Sequence, residues 1–259
     1  MGEGQRTRLS RDELRTLLLQ EGRSLLHDEG FGSGPGNLTF KKVFDRLEGS
    51  TGIRLTNASV IKRVWRDQAD YQADVLVAIA EESQMPEAAG AVLEIGSMFA
   101  SLDLSTDETR ARAVQVLCRI GGGANSVALS NSDVWSLWIN LLAMATEPSE
   151  SGPRQRVLPA FRDGYQNVYD FWSTTYAGLM EVLGLRLRAP WTLRQFTMAV
   201  TALSEGCSMR NRIDEQVEMF VRPTGPNGED EEWTLFSIGL EGLVNHFLEP
   251  DPDYEPTQP

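Results

Sequence analysis

The sequence predicts an all-α fold: an N-terminal three-helix helix-turn-helix domain followed by a larger helical domain. Three observations predict it. Apolar residues recur at three- and four-residue spacing through most of the chain, and capping signals stand ahead of those stretches. No run of alternating apolar and polar residues is long enough to propose a sheet. With 259 residues, 41% of them hydrophobic, the chain can bury a substantial core. No run approaches the ~18 apolar residues of a membrane span. The N-terminal "MGEGQRTRLSRDELR" lacks the apolar centre of a signal peptide, so a cytoplasmic protein without a membrane partner is expected.

The first helix opens on a capping box, Ser10 with Glu13. Behind it Leu14, Leu17, Leu18, Leu25 and Leu26 recur at helical spacing until Gly30 and Gly32 end the pattern. After the glycine-rich "GFGSGPGN", Thr39 is a good N-cap for a short helix with Phe40, Val43, Phe44 and Leu47 inward and Lys41, Lys42 and Arg46 outward. A turn with Gly49 and Gly52 follows. Thr56 or Asn57 then opens a third helix that buries Val60, Ile61, Val64 and Trp65, leaving Ser59, Lys62, Arg63 and Arg66 outward. Three short helices, the last two joined by a glycine-containing turn, describe a helix-turn-helix. In this setting the sequons at Asn37 and Asn57 read as helix starts.

Charge sharpens the picture. Residues 1–66 carry 12 Lys or Arg against 8 Asp or Glu, a balance of +4, whereas the remaining 193 carry 12 against 29, a balance of -17. All three lysines, Lys41, Lys42 and Lys62, lie in the first part. A uniformly acidic protein is repelled by nucleic acid; a basic end on an acidic body can dock end-on.

From residue 67 onward the pattern is helical. Pro86 breaks the first long stretch, and "STDE" at Ser105–Glu108 is read as a capping box for a helix that ends near Gly121, Gly122 and Gly123. That glycine run lacks the lysine and Ser/Thr of a phosphate loop and has no strand before it. "NSDVWSLWINLLAMA" places Trp135, Trp138, Ile139 and Leu142 on one face, and "EPSESGPRQR" is an exposed loop. Leu158, Phe161, Tyr165, Val168, Trp172, Tyr176, Leu179 and Leu183 then continue at helical spacing. The aromatics here surround more of the helix than a core stripe requires. Phe161, Tyr165, Tyr169, Trp172 and Tyr176, with Phe99, Trp135 and Trp138, are therefore candidates to line a cavity for a small apolar ligand, with ordinary core packing as the other reading. Thr192 with Gln195 caps a helix bearing Phe196, Val200, Leu203 and Cys207, and a last helix carries Phe236, Leu240, Leu243, Val244 and Phe247. The tail "EPDPDYEPTQP" is expected to be disordered.

A leading helix ending in "DEGF", then "LTFKKVFDRL", then "SVIKRVW" running directly into "RDQADYQADVL" resembles the DNA-binding end of TetR-family transcriptional regulators. Thr39 and Phe40 match the start of the family's second helix, Ser59 a small residue of the recognition helix, Trp65 the aromatic that closes it, and Tyr71 the first apolar position of the fourth helix. Two departures stand out. Lys62 replaces a phosphate-touching tyrosine, and the turn between Leu47 and Ser59 is longer than the family's. The resemblance implies a DNA-binding domain over 1–66, a ligand-binding and dimerisation domain over 67–250, and a disordered tail over 251–259. It also implies a homodimer formed by the last two helices through Phe196, Val200, Leu203, Phe236, Leu240, Leu243 and Phe247, with packing within the monomer as the other reading.

On this reading Lys62, Arg63 and Arg66, with Lys41, Lys42, Arg8 and Arg11, meet the phosphates of double-stranded DNA. Asn57 and Ser59 reach base edges, and Thr39 and Thr56 belong to the same surface. The expectation is a dimeric repressor released from a palindromic operator by a small apolar molecule. Two other classes remain: a TetR-shaped interaction module without operator binding, and a helical enzyme using the aromatic cavity. No catalytic residue, metal or cofactor is expected. His27 and His246 have no nucleophile arranged beside them, no HExxH or dinucleotide motif occurs, and Cys118 and Cys207 read as packing residues. The acidic run Glu229, Asp230, Glu231 and Glu232 reads as solvated charge.

Overall fold

A computed structural model describes residues 9–30, 35–60, 63–81, 96, 102–146, 153–214 and 218–255. The fold is mostly helical, as expected, and it divides into two compact units. The first comprises residues up to 82 together with 133–164, and the second comprises 83–132 together with 165–259. The domain boundary expected after residue 66 thus falls inside the first unit.

In the first unit the helices are α1 (Arg11–Glu29), α2 (Phe40–Thr51), α3 (Asn57–Val60), α4 (Gln68–Glu81), α6 (Asp133–Thr146) and the opening turns of α7 (Pro153–Leu183). The capping box of Ser10 and Glu13 is formed, and Thr39 accepts from the Lys42 amide. Gly52, left-handed at φ 74°, ends α2 by donating its amide to the Glu48 carbonyl. Phe40 stacks on Phe44 and Tyr71 with centroids 5.5 and 5.0 Å apart, and Trp65 meets Tyr71 edge-on at 4.8 Å. Leu14, Leu18, Val43, Leu47 and Val60 complete this core. The buried Tyr71 hydroxyl is satisfied by donating to the Leu18 carbonyl at 2.8 Å.

The second unit holds α5 (Asp107–Asn131), α7 from Tyr165 onward, α8 (Leu193–Ile213) and α9 (Leu235–Phe247). It also contains strands where none were expected. β1 (Leu185–Leu187) pairs antiparallel with β4 (Leu248–Pro250), and β2 (Phe220–Pro223) pairs antiparallel with β3 (Asp230–Trp233). Strands of three and four residues are too short to display alternation, and Asp230, Glu231 and Glu232 are poor strand formers. The β2–β3 ribbon is closed by its turn, where Gly228 adopts φ 86°, and by the Trp233 indole donating to the Thr224 hydroxyl at 2.9 Å.

Four further expectations are corrected. The cap of α5 is Thr106, boxed with Thr109, one residue beyond Ser105. The glycine run does not end that helix: α5 continues to Asn131 because Gly122 lies against α9, where a Cβ would stand 3.1 Å from the Ser237 Cα. The start of the tail is ordered, with the Asp251 amide on the Gly184 carbonyl at 2.8 Å and the Tyr254 hydroxyl on the Val182 carbonyl at 2.9 Å; residues 256–259 lie outside the described residues. Finally, among the described residues the third helix covers Asn57–Val60, the Arg63 and Val64 amides donate to the Val60 carbonyl, and residues 63–67 form turns and bends, not the helix expected through Trp65. The chain resets there because Asp67 accepts from the Asp70 amide at 2.8 Å and so caps a new helix, α4. Residues 61–62, which include Ile61 and Lys62, and residue 86 lie outside the described residues.

Candidate nucleic-acid interface

The surface expected to meet DNA is built by α2, α3 and the turns on either side of α3. Thr39 is half-buried, and its hydroxyl is committed to capping α2. Lys41 is exposed and donates to Asp45 one helical turn on at 2.6 Å, which raises its pKa. Lys42 donates to Glu29 of α1 at 2.6 Å. Thr56 and Asn57 are exposed where the chain enters α3. The Ser59 side chain and Lys62 lie outside the described residues, as does Arg8. Arg63 is exposed and donates to the Leu9 carbonyl at 2.5 Å. Arg66 pairs with Asp70 at 3.3 Å, and this hydrogen bond and charge raise its pKa.

Neighbouring carboxylates therefore pair with Lys41, Lys42 and Arg66. These contacts are weak holds: Lys41 is 85% exposed and Asp45 62%, and Arg66 is 85% exposed. Solvent screens pairs whose cations are this exposed, and a phosphate can replace the Asp45 carboxylate at little cost.

A second cluster beside this surface was not read from the sequence. Asp70 and Asp74 stand one turn apart on α4 and gather Arg15 of α1, Trp65 and Arg66 of the turns, and Arg156 of α7. Burial pushes the Asp70 carboxyl up, but bonds from the Arg66 amide and side chain, with the charges of Arg66 and Arg156, outweigh it and hold its pKa below the ordinary value. The spacing of Arg66, Asp70 and Asp74 was legible as a run of i,i+4 charges. The arrival of Arg156 from 82 residues away was not.

The residues proposed for a ligand cavity fall into both units. Trp135, Trp138 and Phe161 belong to the first and are buried, with Trp138 stacked on Phe161 at 4.1 Å. This is core packing. Tyr165, Tyr169, Trp172 and Tyr176 belong to the second and are half-buried along α7. Tyr165 donates to Glu205 at 2.8 Å, Trp172 stacks on Tyr176 at 5.5 Å, and Tyr176 meets Phe196 edge-on at 5.2 Å. Burial raises the Glu205 pKa, and the Tyr165 bond offsets part of that rise. Phe99 lies outside the described residues. Within the first unit a cleft of about 520 Å³ runs along α1, past Leu19, Arg23 and His27, to Val134 and Leu137 of α6. None of the aromatic candidates lines it.

The residues expected at a dimer interface pack together inside the second unit. Phe196, Val200, Phe236 and Phe247 are buried in the chain's own core, and Leu203, Leu240 and Leu243 pack partly buried against them. Burial within one chain leaves the first four no area to offer a partner. What α8 does expose is another stripe: Met198, Ala202, Gly206, Met209 and Ile213.

Among the described residues, no group of His, Cys, Asp and Glu side chains is placed to hold a metal ion, and no helix is long and apolar enough to cross a membrane. Cys118 and Cys207 are buried free thiols, and burial pushes the Cys118 pKa up to about 12. No family model, curated protein or solved structure matches the chain.

Proposed function

We propose that this protein is a ligand-responsive, DNA-binding transcriptional regulator of TetR type, a repressor released from a palindromic operator by a small apolar molecule. The observation that carries the reading is the reversal of charge along the chain, +4 over residues 1–66 and -17 thereafter. Exposed cations within residues 1–66 attract phosphate. The ordered α1–α2–α3 arrangement, with Thr56 and Asn57 exposed at the start of α3, offers short polar side chains for base edges. The half-buried aromatic face of α7, Tyr165 to Tyr176, receives the ligand. Two copies pair through the exposed stripe of α8, where the small Ala202 and Gly206 let helices approach closely, and a two-fold protein reads two half-sites.

Selection of bound fragments from the source genome tests this reading. Enrichment of one roughly palindromic sequence supports it, and recovery at background across all fragments rejects it. The carboxylate pairing of Lys41, Lys42 and Arg66 favours one competitor, an interaction module of the same shape whose basic end binds no operator. That module would show no fragment enrichment.

A further inference from the structure

We propose that Arg156 is a positioning residue for DNA recognition, which holds the 63–67 turns in place by bridging Asp70 and Asp74 on α4. This rests on the DNA-binding reading.

The geometry is specific. Arg156 Nη1 donates to Asp70 Oδ1 at 2.7 Å and to the Asp70 carbonyl at 3.3 Å, while its Nη2 donates to Asp74 Oδ1. The two carboxylates are 17% and 14% exposed, so solvent screens their mutual repulsion poorly. Like charges at i,i+4 destabilise a helix, and a planar guanidinium with two forks is the side chain that can answer both at once. The other oxygen of Asp74 accepts from the Trp65 indole at 2.9 Å and from Arg15 at 2.9 Å. The other oxygen of Asp70 accepts from the Arg66 amide at 3.1 Å. Trp65 and Arg66 belong to the segment that follows α3, and each is fastened to a carboxylate that Arg156 orients. Without Arg156 the two carboxylates turn apart, and Trp65 and Arg66 lose a fixed partner together. Arg156 itself stays in place because α7 lies close to α4, where Gly164 leaves room for the Ala80 carbonyl.

Arg156→Ala, Arg156→Lys and Asp74→Asn in the full chain separate this role from a direct phosphate contact. Two readouts are used: affinity for the selected fragment at several salt concentrations, and hydrogen exchange of the Trp65 indole N–H, assigned with Trp65→Phe. Positioning predicts that Arg156→Ala binds about tenfold more weakly with an unchanged salt slope. It also predicts faster indole exchange, with Arg156→Lys intermediate in both readouts and Asp74→Asn matching Arg156→Ala. The lysine variant keeps the charge and guards against a variant that fails to fold. A salt slope reduced by about one would make Arg156 a phosphate contact and overturn the proposal. Unchanged affinity and exchange would overturn it too. If the wild type selects no fragment, the DNA reading fails by itself, and indole exchange alone decides whether Arg156 holds the 63–67 turns.

Discussion

His27 stands between two carboxylates. Its Nδ1 faces Asp28 at 3.0 Å and its Nε2 faces Asp133 at 2.9 Å, so only the imidazolium donates to both. The hydrogen bonds to Asp28 and Asp133 raise the pKa of His27, and the bonds from His27 and Arg46 lower that of Asp28. A raised histidine contributes stability that is fully present below its unfolded pKa of about 6.5 and is lost as pH rises through the folded value. Asp28 works in the opposite sense, its contribution being lost as pH falls through its lowered pKa. His27→Gln should therefore lower the melting temperature at mildly acidic pH and leave it nearly unchanged once the pH is well above the raised folded pKa. Equal losses at both pH values would mean that the histidine acts through packing. The sequence showed His27 near the end of α1, but Asp133 as its partner depended on how α1 and α6 pack. Capping, by contrast, was legible because it is local: Ser10 with Glu13 and Thr192 with Gln195 form the boxes their spacing predicts.

Helix length was harder to read, since a glycine that reads as a stop can be a packing site. Gly122 and Gly123 in α5 separate the two meanings. A methyl at Gly122 would press on the Ser237 Oγ at 2.8 Å and Cα at 3.1 Å, whereas one at Gly123 meets nothing within 4 Å. Gly122→Ala should cost about 1–3 kcal/mol through overpacking against α9. Gly123→Ala should stabilise by up to ~1 kcal/mol through helix propensity alone. Denaturant midpoints of the two variants check the contrast, and a loss at both positions would place α9 differently. The helices, their apolar faces and most of their starts were legible because the 3.6-residue period extends over many turns. The two ribbons were not. β1 and β4 pair across 63 residues at Arg186 and Glu249, and the β2–β3 turn, although Asn227-Gly228 is a hairpin signal, joins strands too short to show alternation. α3 was expected to run through Trp65, whereas residues 63–67 are not helical and Asp67 caps the start of α4.

At the scale of the whole molecule, the candidate surfaces depend on which apolar residues the chain uses itself. Phe196 and Phe236 were expected at a dimer interface because helical periodicity marks an apolar face without saying what covers it; here the same chain covers both. Met209, 40% exposed beside Gly206, belongs to the face that remains. Met209→Glu should leave the helical content intact and shift the sedimenting species from dimer to monomer, because each pairing would bury two unpaired carboxylates. A wild type that sediments as a monomer, or a variant that stays dimeric, would remove α8 as the interface.

Charge, unlike packing, is read directly from the chain, and the central claim rests on it: the basic end is a reader of DNA. The most direct test is a titration of the selected fragment with wild type and with Lys62→Ala/Arg63→Ala over a range of salt. The account predicts saturable binding that weakens steeply with salt, and a slope of log affinity against log salt shallower by about two in the double variant. Binding insensitive to salt, or a double variant indistinguishable from wild type, would contradict it.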